Sequence, residues 1–320
     1  MNARSRMPRR QQGMAVIMAL LIVALAASAS ALVLWQQGLW WRQADNDRAR
    51  AQLRLVADAG VGWAQAILRF DKNSSSVDHL AELWAQPLPQ TDTQGVRVGG
   101  RMFDAQGRFN VNNLVKDGKL DPKQLELYQR LLTELKLPPQ LTSSLLTWWG
   151  LRDSKNDDGD APALAHFPVE RVEMLRWAEG YTPEVMARLA PQLTALPPTP
   201  PGSGARAINV NTATPALLRA LIPGLGSGPL QVLLNQRSSN YFKDKGDFDN
   251  RLRTMGGLAV MSDIPYDVSS NYFLLESAAH DDRVRLTARA LLEALPNNAS
   301  RIVWREDGSL PIGDNDDNTP

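Results

Sequence analysis

Arg9-Arg10-Gln11-Gln12-Gly13-Met14-Ala15-Val16-Ile17-Met18-Ala19-Leu20-Leu21-Ile22-Val23 opens an apolar run that continues without a charged residue to Leu34. As a helix, Met14 to Leu34 spans about 30 Å, the thickness of a bilayer's hydrocarbon core. Arg4, Arg6, Arg9 and Arg10 crowd its N-terminal side and no cation stands just beyond its far end. The positive-inside bias therefore predicts a cytoplasmic head, with the chain from about residue 42 outside the inner membrane. No proline interrupts residues 14 to 70, and Leu53, Val56, Gly60, Trp63, Ile67 and Phe70 recur at spacings of three and four. That is the period of an amphipathic stripe, so one helix about 85 Å long is expected over 14–70, with a lipid-facing first half (14–34).

Three kinds of N-terminus fit such a run. Ala27-Ser28-Ala29-Ser30-Ala31 offers the small-x-small pattern of a cleaved secretory signal. An uncleaved anchor needs nothing more than the run itself. In the third kind the cut comes before the run: a basic leader, residues 1–13, ending in Gly13 and followed directly by Met14 resembles the type IV prepilins, which prepilin peptidase cleaves after the glycine.

Composition narrows the remainder. The 320 residues carry 35 Lys and Arg against 34 Asp and Glu, a formal charge of +1, so no global polyelectrolyte partner is implied. There are no cysteines, hence no disulfide framework and no thiol chemistry. Glu306 to Pro320 holds five acidic residues with Gly, Asn and Pro and no packing pattern, and reads as a disordered tail over 306–320.

The outer part reads as sheet, helices, sheet. After a polar loop with Pro87 and Pro89, Val96, Val98 and Met102 alternate with Arg97 and Arg101, and Arg108 to Asn112 continues as a second extended piece. Near the C-terminus, Val284, Leu286, Ala288 and Ala290 alternate with Arg283, Arg285, Thr287 and Arg289. A strand near Tyr272 to Ala278, a turn at His280-Asp281-Asp282 and a last strand at Ser300 to Arg305 complete an antiparallel sheet with one wet face. Between these regions, 113–265 reads as helical, with Pro122–Leu137, Gln140–Trp149, Pro168–Ala178 and Pro183–Leu193 at helical spacing. The fold class is therefore α+β: a long helix on an antiparallel sheet formed by 71–112 and 266–305, with a large helical insertion.

Within the insertion, Asn209-Val210-Asn211-Thr212-Ala213, then Pro223-Gly224-Leu225-Gly226, resemble a helix-hairpin-helix unit, with Thr212 or Asn211 as first N-cap. Hairpins of that kind commonly bind DNA phosphates, and residues 207–255 carry six Arg and Lys against three Asp. A membrane-tethered DNA receptor is the rival function, although strands flanking the helical block on both sides weigh against it. Asp153, Asp157, Asp158 and Asp160 place four carboxylates in eight residues, a hard-cation donor set without EF-hand spacing. His79, His166 and His280 lie apart with no accompanying catalytic motif, so no enzyme is indicated.

The order of parts resembles the K-type minor pseudopilins of type II secretion. The Gly13 cut site, the long helix, Gly107-Arg108-Phe109-Asn110-Val111-Asn112-Asn113-Leu114 and Ile208-Asn209-Val210-Asn211-Thr212-Ala213 carry the resemblance over about residues 10 to 305. It implies a pilin-like domain that helps initiate and cap a periplasmic pseudopilus, not an enzyme. It also implies processing between Gly13 and Met14, methylation of the new amine, and partners among the I, J and H pseudopilins, the inner-membrane platform and prepilin peptidase. Most pilin-like subunits carry Glu at the fifth mature position, here Met18, where a carboxylate offsets a neighbour's N-terminal amine in lipid. An apolar residue there implies a subunit with no such neighbour, as at a tip. The family's calcium, held in the insertion near an Asp-Trp stretch, meets Thr147-Trp148-Trp149-Gly150-Leu151-Arg152-Asp153 here, without the early Asp and with Arg152 close by.

Overall fold

The computed structural model describes residues 9–93, 96–150, 167–202, 204–280, 284–296 and 299–311. The chain divides into two compact units, Met1–Val56 and Ala57–Pro320. Helix α1 (Arg9–Ser74) supplies every described residue of the first unit and opens the second. It exceeds the expected 14–70 at both ends, to Arg9 and to Ser74; at the first, a lone Gly13 costs a helix only about 1 kcal/mol. In the first unit Met14, Ile17, Met18, Leu21 and Leu25 are all exposed, and this is one helix long and apolar enough to cross a membrane.

In the second unit α1 leads, through a short 3-10 turn at Leu83–Ala85, to β1 (Leu88–Thr93) and β2 (Val96–Asp104). Strand β1 replaces the expected polar loop. It lies at the sheet edge, where the N–H that Pro89 lacks is not needed, and its register shifts between Leu88 and Thr91.

The sheet then breaks off until Tyr272. The intervening chain forms β3 (Phe109–Asn110), β4 (Val115–Lys116), β5 (Lys119–Leu120), α2 (Pro122–Glu134), α3 (Gln140–Trp148), α4 (Pro183–Leu189) and β6 (Leu193–Thr194). It continues with β7 (Ile208–Asn209), α5 (Pro215–Leu221), α6 (Ser227–Ser239), α7 (Lys245–Thr254) and β8 (Tyr266–Asp267). Asp121, Thr182 and Thr214 each precede a proline in the first helical turn and accept from that turn's backbone N–H groups. Thr214, rather than Thr212 or Asn211, thus caps α5.

Two expected helices are shorter than their spacing implied. Over Pro168–Ala178 only a 3-10 turn forms, Val172–Trp177, because the Asn112 amide holds the Val169 backbone at both its N–H and its C=O (2.8 Å each). Helix α4 stops at Leu189, where Pro191 has no N–H to continue the ladder. The expected second sheet piece, Arg108 to Asn112, is also different. Within it only Phe109 and Asn110 form a strand; they pair in parallel with β6, and Phe109, Val111 and Leu114 lie in the insertion's own core.

The insertion's two halves share one plan. Phe109-Asn110-Val111-Asn112 and Ile208-Asn209-Val210-Asn211 each begin with a two-residue strand paired in parallel with the strand that closes its half, β6 or β8. In each, the second asparagine clips distant backbone: Asn112 grips Val169, and Asn211 grips Phe242 at 2.8 and 2.9 Å. A primary amide offers one donor and one acceptor side by side, so it can stand in for a ladder partner.

The chain returns as β9 (Tyr272–His280), β10 (Val284–Leu295) and β11 (Ala299–Pro311), giving the antiparallel order β1-β2-β9-β10-β11. Leu286, Ala288 and Ala290 are buried between half-buried Arg285, Thr287 and Arg289, the alternation expected. Strand β11 continues past Arg305 into the stretch expected as tail, since Arg171 pairs with Glu306 (3.0 Å) and Arg305 with Asp307 (2.8 Å). Residues 312–320 and the turn residues Asp281 and Asp282 lie outside the described set.

Val61, Ala64, Ile67 and Leu68 of α1 pack with Trp84, Met102, Phe273, Leu275, Ala290 and Leu292. Trp63 and Phe70, expected in the stripe, are 36% and 65% exposed. The buried row is rotated by one residue onto Ala57, Val61, Ala64 and Leu68, whose small members let the helix approach the sheet closely.

Asn112→Ala would leave Val169 N–H, Val169 C=O and Leu196 C=O short of a buried partner. A loss of about 3 kcal/mol in urea unfolding of the detergent-solubilised protein is expected. Asn73→Ala, at an exposed site, should stay within about 0.5 kcal/mol.

Candidate functional site

Of the residues singled out from sequence, Gly13, Met14 and Met18 follow one another on the exposed apolar part of α1. Asp153, Asp157, Asp158 and Asp160 lie outside the described residues, as does His166. His79 stacks on Tyr241 (3.8 Å between ring centroids) and His280 ends β9, so the described histidines do not meet in one site.

The helix-hairpin-helix is present as geometry. Helices α5 and α6 are joined by Pro223 to Gly226, with Gly224 at φ +80°, a value only glycine takes readily. Three of its six cations, however, are occupied within the fold. Arg237 donates to Val210 O (3.2 Å) and Ala213 O (2.7 Å), and burial lowers its pKa to about 10. Arg219 pairs with Glu134 at 2.7 Å, while Arg251 chelates Asp247 and reaches Asn240 O. Leu217, Leu218, Leu221, Leu225, Leu230 and Leu233 are buried in the insertion core.

The polar groups gather instead where the insertion joins the sheet. The Asp104 carboxylate, at the end of β2, accepts from Gln106 N (2.7 Å), Asn209 Nδ2 (2.8 Å), Ser270 Oγ (2.6 Å) and Thr212 Oγ1 (2.5 Å). Burial raises its pKa in spite of those bonds. Asn209 Nδ2 also donates to Asp78 O, and Ser270 N donates to Asp78 Oδ2 (2.7 Å). Gly107 passes so close that a Cβ there would sit 2.7 Å from Thr212 O.

Beside this seam, one oxygen from each of Asp71, Asp78 and Glu82 lies within 4.8 Å of the others. Lys72 Nζ bonds both Asp78 oxygens (2.7 and 3.0 Å), and Glu82 Oε2 accepts from Trp84 Nε1 and His79 N (2.8 Å each). Asp71 is buried and its Oδ2 has no hydrogen-bond partner. Burial, then the charges of Glu82 and Asp78, push its pKa up to about 7.

A cleft of about 420 Å³ between sheet and insertion is lined by Arg101, Phe103, Arg108, Arg171, Glu173 and Arg289. Arg289 bridges to Glu173 at 2.7 Å, so these charges tie the insertion to β10. Neither this cleft nor the seam assembles a nucleophile with a base and an oxyanion donor among the described residues.

Family models described as type II secretion system, protein K, match residues 107–198 and 208–263, the two halves of the insertion. The chain is 28% identical to type II secretion system protein K of Pseudomonas aeruginosa over 96% of both chains. It is 28% identical to that of Aeromonas hydrophila, over 87% of this chain and 92% of the relative. The similarity to type II secretion system protein K thus runs through both halves of the insertion and over nearly the whole chain. Its fold matches the crystal structure of the GspK-GspI-GspJ complex from enterotoxigenic Escherichia coli, with TM-score 0.66 and 19% identity. That match covers 83% of this chain and 99% of that one. The K-type matches begin where the asparagine clips stand: the motifs that carried the resemblance are those that staple each half closed.

A carboxyl with a raised folded-state pKa keeps its proton longer when folded, so its stabilising advantage exists at low pH and is lost as pH rises through the folded value. For Asp71 the window runs from about pH 4 to about pH 7. In chelator-treated protein, Asp71→Asn should therefore remove part of the fall in thermal midpoint between those limits, read as the difference from the parent chain.

Proposed function

We propose that this chain is a membrane-anchored minor pseudopilin that assembles at the tip of a periplasmic pseudopilus and promotes export of folded proteins. The observation that carries the reading is the pairing of Asp104 with Phe273 across β2 and β9, with the entire helical insertion hung between them. An insertion of that bulk on one end of a pilin-like sheet would obstruct neighbours in a helical shaft but not at its end. The solved GspK complex, in which that protein is assembled with GspI and GspJ, supports equivalent I-type and J-type subunits as partners here.

The remaining roles follow from the apolar first unit. Prepilin peptidase would cut between Gly13 and Met14, and the run to Leu34 would hold the subunit in the inner membrane with its C-terminal unit in the periplasm. Met18 leaves no carboxylate for a preceding subunit's amine, as suits the first subunit of a fibre. The role is structural, and with Arg219, Arg237 and Arg251 engaged within the fold nothing favours the DNA-receptor reading.

The mature N-terminus tests this reading. In cells with the peptidase, intact mass and N-terminal peptides should start at Met14. In Gly13→Ala, or without the peptidase, they should start at Met1 and co-purification with I-type and J-type subunits should fall. A start near Ser30 would overturn the assignment.

A further inference from the structure

The C-terminal end of α1 and the loop after it carry a group of charges that the pseudopilin role does not use. We propose that Asp71, Asp78 and Glu82 form a binding site for a hard divalent cation of the calcium type. The three residues offer one oxygen each within 4.8 Å of one another. Two of the three are held rigidly. Asp78 is fixed by Lys72 Nζ and Ser270 N, and Glu82 by Trp84 Nε1 and His79 N. The third, Asp71, is 6% exposed; its carboxyl lies within hydrogen-bonding reach of Asp78, and its buried Oδ2 has no hydrogen-bond partner. A buried carboxylate oxygen without a donor is costly unless a proton or a cation completes it.

Charge leads to the same conclusion. Lys72 offsets one of the three carboxylates, and the carbonyl end of α1 adds partial negative charge. The donors are all oxygen, which selects hard cations over zinc or copper. Separations of up to 4.8 Å suit the roughly 2.3–2.6 Å contacts of calcium on either side of an ion better than the shorter contacts of magnesium. A cation there would brace the end of α1 against Ser270 and, through Asn209, against the insertion.

The test uses the full chain in detergent, with Asp153→Asn, Asp157→Asn, Asp158→Asn and Asp160→Asn introduced together so that the acidic run in the insertion cannot respond. After chelation, calcium should raise the thermal midpoint. Terbium should give luminescence sensitised by Trp84, whose Nε1 lies 2.8 Å from Glu82 Oε2, saturating at one equivalent and displaced by calcium. Asp71→Asn should lose both responses while its chelated midpoint rises above the parent's. Glu82→Gln should lose them as well, a second variant in case the first folds poorly. Trp84→Phe should lose the luminescence but keep the calcium-dependent rise. Absence of any calcium response would mean that a proton on Asp71 neutralises the cluster. Undiminished binding in Asp71→Asn and Glu82→Gln would place the ion elsewhere. Either result overturns the proposal.

Discussion

The Asp104 carboxylate is the point on which the second unit turns. It closes β2, and its two oxygens collect four donors: a backbone N–H from the next turn, an amide and a hydroxyl from the insertion, and a hydroxyl from the segment that leads into β9. A fully buried carboxylate is expensive, so its partners are held with little freedom. Those donors come from three separate places along the chain. The strand end, the start of the insertion's second half and the return to the sheet must therefore all be in position together. Asn209 extends the same logic to Asp78 and so to the loop after α1. Hydrophobic burial supplies most of the stability on either side, but this polar seam sets how the insertion meets the sheet.

The position of the insertion follows from the ladder. Asp104 and Phe273 are direct neighbours across β2 and β9, so the points where the chain leaves and re-enters the sheet lie one strand spacing apart. Loop-closure cost grows only slowly with length, by about 0.6 kcal/mol for each doubling, so a large insertion attached at two adjacent points is tolerated. The cleft-side bridges, Arg289 to Glu173 and Arg171 to Glu306, add a second line of contact, also between sheet and insertion. They are exposed enough to contribute little each, which leaves the buried seam dominant.

Much of this was readable in the sequence where the reading depended on period. The uncharged run, the helical repeat to Ile67 and the alternation of Leu286, Ala288 and Ala290 against Arg285, Thr287 and Arg289 are local patterns with local causes. Errors arose where a distant partner decided. Pro87 and Pro89 read as a loop because nothing nearby reveals that β1 is an edge strand. Pro168 to Ala178 read as a helix because its spacing fits, yet Asn112, far earlier in the chain, holds Val169 extended. Trp63 and Phe70 fit the stripe by spacing yet stay exposed, since the row that meets the sheet, Ala57, Val61, Ala64 and Leu68, lies one residue over. The Asp71, Asp78 and Glu82 group was missed because a helix turn and a loop bring it together, with no metal-ligand spacing in the sequence to mark it.

The helix-hairpin-helix shows how far a motif can be separated from its usual chemistry. What makes the motif recognisable is the capped α5, the positive-φ Gly224 and the leucines that pack α5 on α6, and all of these are intact. Hairpins of this kind bind phosphate through their backbone amides, aided by cations around them, and here several of those cations turn inward. Arg237 reaches the Val210 and Ala213 carbonyls beside the asparagine clip, and Arg130 of α2 takes the Ala220 carbonyl at the end of α5. Each guanidinium satisfies backbone that would otherwise be buried without a donor. Replacing such an arginine would therefore damage the fold before it could affect any ligand. The motif's leucines pack in the insertion core, and Arg237 and Arg130 hold its backbone there.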